Sequence, residues 1–593
     1  MGEEIKNYTE NIHNEEYKKD FCSPVLTAAN MFYDKGREKE SLNGCWNFQI
    51  DPYDTFLRSR WYQEIEEDEK GRKLPLDYDF EHWEKTTVPS CWNLVDDRYL
   101  YYEGAAIYTR KFEYSKQREN RVFLKIGAAN YETRIFLNRS FLGYHRGGST
   151  PFYVEITEHL EKENRLIILV DNKRRPEFVP MSNTDWFNYG GLYRDVELIR
   201  TLDSYLKDIT VQLSGDNYDA IKIKVEVDGL HKNGMAEIDI PELGLGEDIR
   251  VKDGLGESII KACPELWTPD NPRLYEVNIS YRGDQVREKL GFRDIRIKDG
   301  DIYLNGEKIF FRGVACHEES FENGRALTEE EIRENFRLAR EMNCNFLRLA
   351  HYPHTGKAAR IADEMGLMLW EEIPVYWAID FSNPETIQDA ENQLKELIKR
   401  DKNRASVLIW SVGNENPDTD ERLAFMKRLA LKTRELDPTR PVSAACLVNH
   451  VERKIEDRLT EYLDIIGINE YYGWYDPEFD SLIEIIENSK PDKPVFITEF
   501  GAAALAGHRG AVNELFTEDN QQQVYRKQVE LLGEIPYIKG LSPWILYDFR
   551  CPRRTNRFQR GYNLKGLLSR DKKHKKLSFY IMKEFYEKLK ISN

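Results

Sequence analysis

Between residues 309 and 549 the chain returns again and again to one short pattern: IFFRGVAC (309–316), NFLRLAH (345–351), LMLWEEIP (367–374), VLIWSVGNE (407–415), PVSAACL (441–447), DIIGINEY (464–471), PVFITEFG (494–501) and LSPWILYDF (541–549). Each is an apolar run of strand length, and the stretches between them read as amphipathic helices. The first intervening stretch shows the helix physics directly. Thr328 and Glu331 form a capping box, and Ile332, Phe336, Ala339 and Asn343 continue at i, i+4, i+7 and i+11. Eight such strands alternating with helices predict a TIM barrel over residues 297–593.

Upstream the grammar differs. YTRKFEY (108–114), RVFLKIG (121–127), TRIFLNRSFLGY (133–144), RLIILVDN (165–172) and DVELIRT (195–201) are separated by Gly, Asn and Pro clusters, with no long helical period between them. That predicts an antiparallel β-sandwich over 1–202. DITVQL, AIKIKVEVDG, AEIDI, IIKACPELW and LYEVNISY repeat the style over 203–296, about the size of one immunoglobulin-like sandwich. A chain of 593 residues accommodates these three domains.

Composition narrows the function. With 86 Lys and Arg against 103 Asp and Glu the net charge is −17, so phosphate backbones and anionic membrane surfaces repel the chain as a whole, and no nucleic-acid or membrane partner is expected. An anionic substrate would need a local cationic pocket. The opening stretch MGEEIKNYTENIHNEEYKKD is charged and lacks an apolar core, which predicts neither signal nor anchor and a cytoplasmic setting. Eight cysteines at 22, 45, 91, 263, 316, 344, 446 and 551 show no CxxC or Cys/His ligand spacing; they read as reduced thiols, and no metal is expected.

In a barrel the chemistry sits where strands end at the C-terminal mouth, so the polar residues closing the eight runs are the candidates. They are His317, Arg348 and His351, Glu371 and Glu372, Asn414 and Glu415, Asn469 and Tyr471, Glu499, and Trp544 with Asp548. Glu415 closes the fourth run and Glu499 the seventh. Two carboxyl groups converging from such positions are what retaining glycoside hydrolysis requires, although either alone could make a structural ion pair.

Over essentially its full length the chain resembles glycoside hydrolase family 2. The resemblance rests on LNGCWNFQID, VPSCWN, WFNYGGLYRDVEL, LWTPDNPRLYEV, GVACHEES, SVGNEN, NEYYGWY, ITEFGAAA and NLKGLLSRDKK. It implies a jelly-roll sandwich, an immunoglobulin-like domain and a catalytic barrel, with Asn414 and Glu415 supplying the acid/base and Glu499 the nucleophile, and no cofactor. NEYYGWY and the Asn-x-Lys-Gly run resemble the β-glucuronidase branch, which implies that Asn563 and Lys565 grip a sugar carboxylate and that Asp185, in TDWFNYGG, reaches the sugar hydroxyls. By motif match Arg348, His351, Tyr471, Tyr475 and Trp544 would line the pocket, and His317 belongs to the same mouth. The implied partner is a glycoside of a β-linked hexuronic acid, and a homo-oligomer is the expected assembly.

Physics supports the same assignment, because a fixed negative charge on the sugar suits an ammonium with an amide donor, whereas a neutral hexose leaves Lys565 without a partner. Residues 548–576 hold eleven Lys or Arg against Asp548 and Asp571. Within that island 570–576 read as a solvated basic segment. The sequence departs from the branch in three places: RLAHYPH lacks the Thr-Ser usual before HYP, Gln559 stands where an arginine is expected four residues before Asn563, and the link after the third run is short. The first two bear on the C4 hydroxyl, so a β-galacturonidase remains an alternative. A β-galactosidase or β-mannosidase would make Lys565 incidental, and a non-catalytic carbohydrate-binding protein would make both carboxylates remnants.

Overall fold

The protein is described here from a computed structural model covering residues 15–115, 120–215, 217–532 and 535–592; the charged stretch up to residue 14 lies outside the described residues. Between Lys39 and Leu202 the chain builds two large antiparallel sheets and a two-stranded one, Ala129–Asn130 with Gly191–Leu192. One large sheet has six strands, in the order Glu84–Val88, Gly44–Asp51, Ala105–Glu113, Glu163–Asp171, Glu132–Leu137 and Ser140–Arg146; the other has Lys39–Ser41, Val196–Leu202, Asn120–Ile126 and Phe152–Glu155. Alternation along Glu163–Asp171 explains its unbroken apolar run. Leu166, Ile168 and Val170 face the inter-sheet core with Trp46 and Leu124, whereas Ile167 and Leu169 face a second cluster with Phe21, Phe56 and Phe136. A strand buried on both faces carries no polar alternation.

The second unit pairs a three-stranded sheet (Ser204–Ser214, Ala220–Gly229, Leu255–Lys261) with a four-stranded one (Leu245–Val251, Gly234–Ile240, Tyr275–Tyr281, Asp284–Leu290). In AIKIKVEVDG, Ile221, Ile223, Val225 and Val227 are buried and the lysines between them face outward. The run IIKACPELW leaves the sheet after Lys261. Its Trp267 is instead buried against the barrel, donating from Nε1 to the Asp363 carbonyl at 2.9 Å.

The barrel closes through eight parallel strands: β1 Phe311–Cys316, β2 Phe346–Leu349, β3 Met368–Glu372, β4 Val407–Asn414, β5 Val442–Cys446, β6 Ile465–Asn469, β7 Val495–Glu499 and β8 Ile538–Leu541. Phe311, Phe346, Trp370, Ile409 and Phe496 fill its interior below the mouth. The first seven strands fall within the runs read from sequence, and the eighth does not. LSPWILYDF was expected to be a strand, but β8 is the preceding IKGL, paired with β1 through Phe311 and Gly540 and with β7 through Phe496 and Gly540. Gly540 fixes that register, because a Cβ there would lie 2.6 Å from the Phe496 ring. Pro543, with no N–H to give a ladder, helps keep the apolar run after it out of the barrel wall. The run crosses the mouth instead, Trp544 N–H bonding the Phe500 carbonyl at 2.9 Å and Leu546 N–H the Ala315 carbonyl at 2.9 Å.

Helix α1, Glu329–Glu341, starts with both halves of the Thr328–Glu331 capping box and buries Ile332, Phe336 and Ala339. Asn343 does not continue it; it lies past the helix end at φ +66°. Among the described residues no helix is long and apolar enough to cross a membrane. All eight cysteines are free thiols.

The first sandwich is held to the barrel by buried polar groups on α2, Pro384–Asp401. Glu396 is fully buried and accepts from Thr150, from His145 Nε2 at 3.1 Å and from Asn392 at 2.8 Å. Asp389 accepts from the Tyr131 hydroxyl, and Gln393 Nε2 donates to the Val179 carbonyl at 2.8 Å. These contacts fix where the sandwich loop bearing Asp185 hangs over the mouth. Glu396→Leu strands the Thr150 hydroxyl in a dry interface and is expected to cost about 2–4 kcal/mol in denaturant unfolding. Glu385→Ala, on the exposed first turn of the same helix, is expected to cost less than about 0.5 kcal/mol.

Candidate active site

Every residue of β4 is buried, and the residue after it, Glu415, takes φ +51°, a turn out of extended backbone that carries the carboxyl group into the mouth. Its backbone N–H bonds the Ala445 carbonyl of β5 at 2.9 Å, which anchors the turn. Glu415 Oε2 accepts from Trp377 Nε1 at 2.7 Å and from Asn414 Nδ2 at 3.4 Å. Burial first, and then the negative charge of Glu499, push this carboxyl above the usual carboxylate range against the pull of its Trp377 and Asn469 donors.

Glu499 ends β7 and sits among donors. Oε1 accepts from Arg348 Nη1 at 2.9 Å, Oε2 accepts from the Tyr471 hydroxyl at 2.6 Å, and His351 Nε2 lies 3.7 Å away. Arg348 in turn donates to Asn414 Oδ1 at 2.7 Å and to Glu372 Oε1 at 3.1 Å. Glu372, fully buried, also receives His351 Nδ1 at 2.8 Å and Trp370 Nε1 at 2.8 Å. Burial works against its charge, yet Arg348 and His351 outweigh that penalty and hold the Glu372 carboxyl at about 2. The two central carboxyl groups therefore sit in unlike surroundings, one desolvated and one wrapped in donors, the division of environment that separates an acid from a nucleophile.

Glu415 and Glu499 share a cavity of about 250 Å³. Of the other residues expected there, Asp185, His351, Tyr471, Tyr475, Trp544 and Lys565 line it. His317, Arg348, Asn414 and Asn563 stand one layer behind. His317 is buried, with Nδ1 3.1 Å from the Tyr352 hydroxyl, and packs edge-on against Trp544 at 5.2 Å, so it props the indole. Asn563, expected to grip the ligand directly, is fully buried; its Nδ2 donates to Asp185 Oδ2 at 3.1 Å and its Oδ1 accepts the Lys565 N–H at 3.1 Å.

Lys565 is nearly fully buried, and Nζ donates to the Tyr475 hydroxyl at 2.7 Å while lying over the Tyr471 and Tyr475 rings. Among the described residues it has no carboxylate partner within 4.0 Å. Its loop is locked from below. The Gly566 N–H bonds Asp548 Oδ1 at 2.9 Å, and a Cβ on Gly566 would fall 2.2 Å from the Asp548 nitrogen, which explains the glycine in the Asn-x-Lys-Gly run. Asp548 is thus structural, and its second donor is Lys576 Nζ at 2.7 Å. Lys576 is fully buried, which corrects the reading of 570–576 as wholly solvated; a buried ammonium is tolerable here because the Ala504 and Leu564 carbonyls complete its bonds.

Several cavity residues escaped the sequence reading. Trp377 and Tyr376 lie beyond the end of β3, His450 beyond β5, and Arg554 was counted only as one charge of the basic island. Glu470 was passed over beside Asn469; it is buried, and burial followed by the Glu415 charge raises its carboxyl to about 8. Gln559, by contrast, turns to Asn556, accepting its Nδ2 at 2.7 Å, and does not line the cavity. Glu371, the neighbour of Glu372, is buried and faces away from the cavity, toward Asp401, and burial followed by the Asp401 charge raises its carboxyl well above the usual range. The only sequence signal for Arg554 was its place in a run of arginines between β8 and Lys565.

Comparison with known proteins agrees with this arrangement domain by domain. Residues 39–202 match the model for the sugar binding domain of glycosyl hydrolases family 2, residues 194–293 match the family 2 model between them, and residues 295–591 match the family's TIM barrel domain. A β-glucuronidase from Paenibacillus borealis is 26% identical over 591 residues, covering 91% of this chain and 95% of that protein. The structure of a β-D-glucuronidase from Dictyoglomus thermophilum superposes with a TM-score of 0.80 at 26% identity, covering 94% of this chain and 99% of that one. A family 2 β-galacturonidase from Eisenbergiella tayi, bound to glycerol, does so with a TM-score of 0.80 at 25% identity, covering 94% and 97%. With matches running in order from residue 39 to residue 591, the chain belongs to glycosyl hydrolases family 2.

Proposed function

We propose that the chain is a retaining β-hexuronidase, releasing a terminal β-linked hexuronic acid by double displacement. One observation carries this reading: Lys565 places a nearly buried ammonium, with no carboxylate partner among the described residues, in the cavity that holds Glu415 and Glu499. A buried cation without a counter-charge is costly, and a substrate carboxylate offsets that cost. The names of the relatives, β-glucuronidases and a β-galacturonidase, support the same substrate class. The free thiols are consistent with a reducing cytoplasmic setting, and size-exclusion chromatography with light scattering tests the expected homo-oligomer.

In the first step ionised Glu499 attacks the anomeric carbon as the bond to the leaving oxygen breaks, and protonated Glu415 gives that oxygen its proton. Glu415, now ionised, takes a proton from water, which attacks the same carbon and releases Glu499. Arg348 and Tyr471 hold Glu499 in place through one bond to each of its oxygens, and Trp377 steadies Glu415 in its ionised form. A β-galacturonide is the second reading, supported by Ala350 where a hydroxyl side chain is usual and by Gln559 facing away from the cavity.

Glu415→Gln and Glu499→Gln are each expected to lower turnover of aryl uronides by several orders of magnitude with the fold retained by circular dichroism. Near-normal activity in either variant removes the assignment. Azide should rescue Glu499→Gly with inverted product and Glu415→Ala with retained product.

The pH profile has a definite sign. Activity falls on the alkaline side as Glu415 loses its proton, and the Trp377 N–H favours that loss by bonding the ionised form. Trp377→Phe removes the donor, raises the Glu415 pKa and should move the alkaline limb of kcat/KM upward; a downward shift contradicts Glu415 as the acid.

Substrate charge tests Lys565. Lys565→Ala takes the ammonium away from a desolvated carboxylate, a loss of about 2–5 kcal/mol, or roughly 30-fold to several thousandfold in kcat/KM on uronides. Matched neutral glycosides should not show that loss. Equal losses on both would reduce the reading to a family 2 glycosidase of other specificity, and the ratio of glucuronide to galacturonide turnover decides between the two hexuronide readings.

A further inference from the structure

Asp185 reaches the cavity with its oxygens already occupied. Arg554 Nε donates to Oδ1 at 3.1 Å and Nη2 to Oδ2 at 2.6 Å; Asn563 Nδ2 adds a bond to Oδ2 at 3.1 Å, and Cys551 Sγ lies 3.3 Å from Oδ1. A carboxylate offers about four acceptor positions, and four donors fill them. The group that Asp185 presents to the cavity is therefore the guanidinium it holds. The third nitrogen of that guanidinium, Arg554 Nη1, lies 3.3 Å from the Tyr475 hydroxyl, which Lys565 Nζ reaches at 2.7 Å. Two cations from one loop thus converge on a single phenol oxygen at the cavity wall. Like charges brought this close repel, and a neutral phenol compensates them less well than an anion does. Desolvation of the hydroxyl end opposes ionisation of Tyr475, yet Lys565 and Arg554 together pull its pKa below the ordinary phenol value, so the spot favours a negatively charged oxygen. Tyr475 is also 59% exposed, so its ring has room to yield the position.

We propose that Arg554 is a second carboxylate-binding cation of this site and that Asp185 is a positioning residue acting through it, the ligand's carboxylate being received between Lys565 Nζ and Arg554 Nη1 where the Tyr475 hydroxyl now lies. This rests on the hexuronidase reading and deepens it. It assigns the carboxylate's second partner to an arginine nine residues before Asn563, which accounts for a site that functions with Gln559 at the position where an arginine is expected. A guanidinium whose fork is fixed by Asp185, presenting its remaining nitrogen beside a point-charge ammonium, favours a carboxylate over a hydroxymethyl group of similar size.

The test compares Arg554→Ala, Arg554→Lys, Asp185→Asn and the Asp185→Asn/Arg554→Ala double variant on nitrophenyl β-D-glucuronide, β-D-galacturonide and the matched neutral glycosides. In Arg554→Ala the ratio of uronide to neutral kcat/KM should fall by about 10- to 100-fold, chiefly through the uronide KM, because the carboxylate is remote from the reacting bond. Arg554→Lys should recover part of the ratio, and it keeps the test readable if the alanine variant does not fold. Asp185→Asn should lower the ratio in the same direction, and the double variant should lose no more than Arg554→Ala alone, since one residue acts through the other. An unchanged ratio in both Arg554 variants, or losses that add in the double variant, overturns the proposal. Lys565→Ala run alongside separates the two levels: if it lowers the ratio while the Arg554 variants do not, this inference fails alone, and if neither lowers it the hexuronidase reading fails as well.

Discussion

Arg348 has no solvent exposure, yet it lies among the ends of four barrel strands and touches Glu372 of β3, Asn414 of β4 and Glu499 of β7 at once. A guanidinium can stay in so dry a place only if its charge is neutralised and its forked donors are nearly all used. Glu372 supplies the standing counter-charge, which leaves the Arg348 bond to Glu499 free to orient that carboxylate. Removing Arg348 would strand Glu372 and loosen three strand ends together. The chemistry and the closure of the barrel mouth are in this sense one network.

Around that network the cavity is polarised. Glu415, Glu470 and Glu499 bring acid from β4, β6 and β7, while Lys565 and Arg554 bring positive charge from the loop beyond β8. A net charge of −17 makes the second group the exception. It is sustained locally, by Asp548 and Lys576 beneath the loop and by Asp185 reaching in from the first sandwich. The buried contacts on α2 thus matter to the site as well as to stability, since they set the position of a residue supplied by another domain.

The barrel was legible because strands buried on both faces leave long apolar runs, and because each ends on a polar residue that has no role in the core. Reading those endings located Glu415, Glu499, Arg348 and His351. The eighth strand was misplaced because apolar content does not distinguish a strand from a segment crossing the mouth; Gly540 against the Phe496 ring decided it. Asp185 and Asn563 were recognised by motif, but the donors to Asp185, Arg554 and Asn563, lie 369 and 378 positions from it along the chain and leave no local pattern.

By itself the sequence determined the three-domain order, the alternation that builds each sheet and the two carboxylates at the mouth, because periodicity and strand endings are local properties of a chain. Only the tertiary structure decided which polar side chains face the cavity and which support those that do. Whether Asp185 meets a ligand or a guanidinium, and whether Lys576 meets water or Asp548, depends on which donors arrive from distant segments, and desolvation makes those pairings obligatory once the segments are packed.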